Sequence, residues 1–243
     1  MATRGDLTID RPRSLTATVA ERLRQAIIAG DLPLGGELSE IGLAADLGVS
    51  RTPVREALAM LQLQGMVTIV PQKGTYVFMP TERDLVDLCE FRIVIESKAI
   101  YFAMARDRDA TLAALKAAVA EMDATRERHD PVAYSRADTA FHEAFLRHCG
   151  NRYLQESYAL AAGPIATLRN QLSAPLAGVQ DRSYVQHKQM LEAFEKGDVM
   201  ALDAILTAHI LGTRESYVRA LGEGLIGTPE RRQPTRRQAP GAP

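Results

Sequence analysis

The run Leu47-Gly48-Val49-Ser50-Arg51-Thr52-Pro53-Val54-Arg55-Glu56-Ala57-Leu58 reads as a tight turn feeding a helix whose exposed face carries arginines. Ser50 is placed to cap the open N–H groups of the first helical turn. Pro53 falls inside that turn, where its missing N–H breaks no helical bond. Val54, Leu58 and Leu61 recur at helical spacing and point to a core. Arg51, Thr52, Arg55 and Gln62 are left near the opposite side, available to phosphates and base edges. This is the layout of a helix that reads a DNA major groove.

The flanking sequence completes a module over residues 14–80. Leu15 to Gly30 carries Val19, Leu23 and Ile27 on one stripe and ends at a Gly-Asp turn, which predicts an amphipathic first helix. Ser39 caps a second helix through Ile41, Leu43, Ala44 and Leu47. Gly48 stops it in a turn that allows only a sharp helix–turn–helix crossing. Met66-Val67-Thr68-Ile69-Val70 and Tyr76-Val77-Phe78 are β-prone runs joined by the turn Pro71-Gln72-Lys73-Gly74. The economical reading is a winged helix-turn-helix.

These residues resemble the GntR family of bacterial transcription regulators. Its signature is similar to the run from Gly35 through Leu38-Ser39-Glu40, Leu43-Ala44, the stretch Leu47 to Leu58, and Gly65 to Gly74. The resemblance implies that Arg51, Thr52 and Arg55 contact double-stranded operator DNA, with Lys73 and Gly74 of the wing at the adjacent minor groove. Glu37 departs from the pattern, since many members carry there a basic residue that also touches DNA. A carboxylate facing phosphates weakens binding, so either that position is turned away or the operator contact differs.

Composition fits two modest domains. The chain has 243 residues, 46% of them apolar, with six Phe and no Trp, as in an Ala- and Leu-rich helical protein. Two cysteines, Cys89 and Cys149, suit a reduced cytoplasmic setting better than a disulfide framework. No apolar run approaches the roughly 18 residues of a membrane helix, and the N-terminus lacks the apolar centre of a signal peptide. The net charge is −1. Residues 1–80 hold eight basic and eight acidic side chains, so DNA affinity must come from where the arginines sit and from a homodimer doubling the contacts on a near-palindromic operator. Residues 1–13 read as a flexible N-terminus. Residues 223–243, with two Arg-Arg pairs, read as a disordered basic tail, solvated rather than bound to phosphate.

From Thr81 to 222 every long segment reads as helix, giving a mainly α protein with an antiparallel six-helix bundle behind the winged helix. The first helix starts at the Thr81 cap, with Glu82 and Asp84 in its first turn, and runs to about Arg106. The others fall at about 109–128, 131–149, 151–173, 178–196 and 198–222, separated by Asp130-Pro131, Gly150-Asn151, Ser173-Ala174-Pro175 and Gly197-Asp198. Asp138 and His142 stand at i and i+4, so both reach the same point from one face. His187 and His209 lie on the last two helices, which Gly197 turns back on each other. Such donors suit a divalent metal ion, Zn²⁺, Ni²⁺ or Mn²⁺, and four of them on an octahedral ion leave two positions open. Taken singly, an i,i+4 Asp/His pair is commonly a surface ion pair and a lone helical His a satisfied polar residue.

Residues 81–222 also resemble the FCD ligand-binding domain of the FadR-type branch, whose metal-binding members carry Asp-x-x-x-His and two later histidines. Asp138-Thr139-Ala140-Phe141-His142, His187 and His209 match. Six helices rather than seven place the chain near the VanR-like subgroup. The resemblance implies an effector-binding and dimerisation domain that senses a small carboxylate at the metal, Zn²⁺ first among the candidates, and a repressor released by ligand. Arg92 is set among apolar neighbours and must find an anion, either Glu96 at i+4 or the effector carboxylate. Arg169 is the second, lesser effector candidate. His129 and His148 receive no metal role, and Asn151 reads as a helix cap. Nothing in the spacing supplies a further acid or base, so an enzyme acting through the metal is the weaker reading. A purely structural metal, or the metal itself as signal, stays open.

Overall fold

The computed structural model describes residues 14–173 and 178–224. The expectations for the two termini lie outside these residues, apart from the turn that ends the last helix. Helix α1 (Leu15–Ala29) starts at Ser14, whose hydroxyl accepts from Ala17 N, and ends at Gly30 in the left-handed region. Strand β1 (Glu37–Leu38) leads into α2 (Glu40–Leu47), capped by Ser39 and closed by left-handed Gly48. Helix α3 (Arg51–Leu63) comes next. Its N-cap Ser50 makes no side-chain capping hydrogen bond, contrary to the sequence reading. Strands β2 (Val67–Val70) and β3 (Gly74–Val77) pair antiparallel with Thr68 opposite Tyr76. Strand β1 adds to the free edge of β3, giving the order β1-β3-β2. At two residues β1 is too short to show any periodicity, which is why the sequence did not reveal it.

Helices α4 (Glu82–Arg106), α5 (Arg108–Glu127), α6 (Pro131–His148), α7 (Arg152–Leu168), α8 (Val179–Lys196) and α9 (Val199–Gly222) form the bundle. The expected caps are in place, as a Thr81/Asp84 capping box and as Asn151 accepting from Tyr153 N and Leu154 N, and two expected boundaries prove to be caps as well: Asp130, ahead of a first-turn proline, accepts from Ala133 N and Asp198 from Ala201 N. One expectation fails. The segment 151–173 is not a single α-helix, because α7 ends at Leu168 and continues as a π turn over Arg169–Ser173. Pro164 lies within α7, where a proline removes one ladder bond and crowds the preceding turn.

Two apolar cores result. One fills the bundle around Phe141, Phe145, Phe194 and Met122, all fully buried, each aromatic contributing about 1.5–3 kcal/mol of transfer free energy. The other lies beneath α3, with Ile27, Val54, Leu58 and Leu61 at its centre. It does not stop at the wing: Leu85, Leu168, Leu172, Tyr217 and Ala220 of the bundle segment share it. Gly163 of α7 lies so close to Met66 that a Cβ there would sit 2.4 Å from its sulfur.

Candidate DNA-reading surface and metal centre

Left-handed Gly48 lets the chain reverse between α2 and α3 without a Cβ clash. Its N–H donates to Ala45 O and the Val49 N–H to Ala44 O, so the last carbonyls of α2 are satisfied. This turn aims α3. Pro53, Val54, Ala57, Leu58 and Leu61 are buried, and Arg51, Thr52, Arg55 and Gln62 are exposed. Two hydrogen bonds, Arg24 to Gln64 at 2.8 Å and Thr16 to Glu56 at 2.6 Å, tie α1 to α3.

Glu40 is the residue that sequence reasoning passed over. As the first residue of α2 it accepts from Arg51 at 3.2 Å and from Arg55 at 3.1 Å. Arg55 above all, against the opposing effect of burial and with help from Arg51, holds the Glu40 carboxyl below its ordinary range. Its signal in the sequence was only its place after the Ser39 cap. Lys73 is exposed at the hairpin tip, and Gly74 sits beside it at φ +146°, where a Cβ would press on the Tyr76 ring. Glu37 is exposed on β1, paired opposite Tyr76.

In the bundle, Asp138, His142, His187 and His209 are all buried, and one donor atom from each lies within 4.8 Å of the others. His142 Nε2 is 3.3 Å from His187 Nε2, and each is 3.7 Å from an Asp138 oxygen. The outer ring nitrogens face oxygen atoms. His142 Nδ1 meets Glu96 Oε2 at 2.6 Å, His209 Nδ1 meets Gln186 Oε1 at 3.1 Å, and His187 Nδ1 is 3.5 Å from Ser183 Oγ. With Nδ1–H donating to Glu96 and Gln186, the Nε2 lone pairs of His142 and His209 turn inward. Burial depresses all three imidazoles, His142 and His209 well below the ordinary range and His187 to about 4. Neutral imidazoles are ligands. Burial disfavours the Asp138 carboxylate, but its charged surroundings, the Arg169 guanidinium foremost, outweigh it and hold the carboxyl below its usual range. Inward lone pairs beside a carboxylate repel one another in a buried site unless a cation joins them, so the donor set fits a divalent ion.

Both arginine candidates flank this cluster. Arg92 donates through Nε to Glu96 Oε1 at 2.8 Å, the internal partner the sequence offered, while its Nη2 is buried with no hydrogen-bond partner among the described residues. Arg169 approaches Asp138 Oδ1 at 2.5 Å and donates to Thr139 Oγ1 at 3.0 Å, and its Nη2 likewise has no hydrogen-bond partner among the described residues. With Tyr134, Ser183, His209 and Thr213 they line a cavity of about 10 Å³, the room of a single water. His148 pairs with Asp107 and His129 sits in an exposed turn, both away from the cluster. Cys89 and Cys149 are buried free thiols. Glu96, Gln186 and Ser183 were not foreseen as orienting partners; only Glu96 carried a signal, as an acid in an apolar stretch.

Comparison with known proteins agrees with this architecture. Residues 15–77 match the gntR family of bacterial regulatory proteins, and residues 87–212 match the FCD domain. A probable D-xylose utilization operon transcriptional repressor of Paenarthrobacter nicotinovorans is 29% identical over 202 residues, covering 82% of this chain and 88% of that protein. An uncharacterized HTH-type transcriptional regulator of Agrobacterium vitis is 35% identical over 127 residues, 51% of this chain and 74% of that one. A GntR regulator structure from Rhodococcus sp. RHA1 shares the fold, with TM-score 0.74 and 24% identity over 84% of this chain and 98% of its own. A winged helix-turn-helix joined to a buried Asp/His bundle is thus explained by descent: the chain belongs to the GntR family of transcriptional regulators, in its FCD-domain branch.

Proposed function

We propose that this regulator is a homodimeric, cytoplasmic repressor that binds a near-palindromic operator and senses a small organic acid at a metal centre. Residues 14–80 form the reading head and residues 81–222 the effector and dimerisation domain. Arg51, Thr52 and Arg55 read the major groove, while Lys73 and Gly74 track the backbone into the minor groove. The exposed faces of α3 and the hairpin tip support this assignment. Asp138, His142, His187 and His209 hold the ion, Zn²⁺ in first place with Ni²⁺ or Mn²⁺ as substitutes. When bound, the ion supplies open coordination positions for a carboxylate.

The observation that carries this reading is the convergence of three neutral imidazoles on one buried carboxylate, with the outer nitrogens of His142 and His209 already occupied. Arg92 and Arg169 contribute unpartnered Nη2 donors to the same cavity, which fits an anionic ligand. A cavity of about 10 Å³ admits no organic acid as it stands, so binding must open it. A ligand that prefers the opened arrangement shifts the heads only by its difference in affinity for the two arrangements. The deciding experiment is metal analysis of untagged, chelator-free protein, then thermal-shift titration of acetate, lactate, succinate and citrate on loaded and stripped protein. Near-stoichiometric metal with an acid that stabilises only the loaded form supports the reading. Absence of both removes the metal-centred effector and leaves the DNA-binding regulator standing.

A further inference from the structure

One turn of chain touches both the Asp138 cluster and the first helix of the reading head. It is the π turn Arg169–Ser173, a winding that is rare and concentrated at functional positions. Arg169 points into the bundle, toward Asp138 Oδ1 and Thr139 Oγ1, and its carbonyl accepts from Ser135 Oγ at 3.5 Å. The next two residues point the other way. Asn170 Nδ2 donates to Ile28 O at 2.8 Å, and Gln171 Nε2 donates to Ile27 O at 2.6 Å. Gln171 Oε1 also accepts from Leu34 N at 3.3 Å, so one side chain joins the last turn of α1 to the loop that follows it. Ile27 and Ile28 lie in the last turn of α1, where the helix's own N–H donors run out, and the Ile27 carbonyl also takes Gly30 N at 3.1 Å. Leu168 and Leu172 bury their side chains in the same core as Ile27.

We infer that this π turn relays the state of the Asp138 site to the DNA-reading head, with Asn170 and Gln171 as the positioning residues that grip α1. The inference rests on the proposed metal site and adds the route by which its state is felt. The coupling is competitive. Asp138 Oδ1 is Arg169's anion, and an ion drawing on that carboxylate takes it from a buried guanidinium whose other side-chain partner among the described residues is Thr139. A buried charge that loses its partner moves, because staying is costly. A π turn has a near alternative: shedding its extra residue returns it to α winding and rotates the downstream residues by about 100° around the axis. That rotation takes Asn170 and Gln171 off Ile27, Ile28 and Leu34, so the element has two discrete arrangements rather than a graded one.

Hydrogen–deuterium exchange on the full chain tests this without DNA. Protein stripped of metal is compared with and without Zn²⁺, as wild type and as the Asn170→Ala/Gln171→Ala double variant. In wild type, Zn²⁺ should change exchange of the amides between Ile27 and Leu34 about ten-fold, against less than about two-fold in the double variant at equal metal content. The isosteric Asp138→Asn change removes Arg169's charged partner without any metal, and should move the same amides in stripped protein only when Asn170 and Gln171 are present. If Zn²⁺ does not bind yet Asp138→Asn acts this way, the relay holds and the metal reading fails. Equal responses with and without the two side chains, or no response to either input in wild type, overturn the relay. Asn170→Leu/Gln171→Met, which keeps side-chain volume, replaces the alanine pair if circular dichroism shows that pair unfolded.

Discussion

Glu40 and Arg55, fifteen residues apart on α2 and α3, form an ion pair at 3.1 Å in which the carboxylate also takes Arg51. The reading face therefore carries less net positive charge than its arginines suggest, and both guanidinium groups are held in place before any DNA arrives. That matters in a chain whose net charge is −1, because it cannot rely on a general attraction to polyanions.

Arg55→Ala should cost about 1–3 kcal/mol of specific binding, the range for a good base contact. Fluorescence anisotropy against an operator isolated by selection from random duplexes measures it. Unchanged affinity would take Arg55 out of the readout.

Glu40→Gln should raise affinity for unrelated DNA more than for operator and steepen the dependence of log K on log salt by about 0.9, one further phosphate neutralised. A slope equal to that of wild type would place this carboxylate away from the DNA.

His187→Ala should abolish metal retention while leaving DNA binding by the metal-free protein largely intact, since His187 lies in the bundle core. Glu96→Gln is the subtler change. It keeps an acceptor for His142 but removes the charge that fixes the ring, and such orienting partners are typically worth about 10–100-fold in metal affinity. Competition with a chromophoric chelator reads both variants.

Stripped protein should lose stability on acidification. The folded imidazoles sit below the ordinary value of 6.5, His187 at about 4, so the unfolded chain binds protons first. The contribution is fully present above about pH 6.5 and is lost as pH falls through the window toward 4, on the order of 3 kcal/mol for His187. Urea midpoints at pH 7, 6 and 5 track the loss, and a flat profile would mean that the rings are already solvated.

Gly163→Ala should destabilise the protein by about 1–3 kcal/mol by overpacking, although alanine is the better helix former by about 1 kcal/mol. The new methyl meets the fully buried Met66 across the junction of wing and bundle. A double-mutant cycle with Met66→Ala should show positive rescue; strict additivity would mean that the two residues are independent.

The sequence was most informative where local rules act alone. The starts of α4, α6, α7 and α9 were marked by Thr81, Asp130, Asn151 and Asp198, because a cap needs only four consecutive residues. The four donor residues were legible through i,i+4 spacing and family resemblance, and the fold brings all four together. The hidden features depend on contacts between distant segments: Glu40 against Arg55, Glu96 against His142, and the pairing of Glu37–Leu38 with β3. The break of α7 at Leu168 was masked because its apolar pattern runs on through Leu172, and a π turn changes the winding without changing the composition.

The core shared by Ile27, Leu168, Leu172, Tyr217 and Ala220 bears on how such regulators can be recombined. A chimera that cuts the chain near residue 80 to mount this head on another sensor would strip Leu168 and Tyr217 from one half and leave an unfilled hollow under α1 in the other. Mounting this head elsewhere therefore requires transplanting a matched surface from α7 and α9 along with it, and the unit that folds is larger than the winged helix alone.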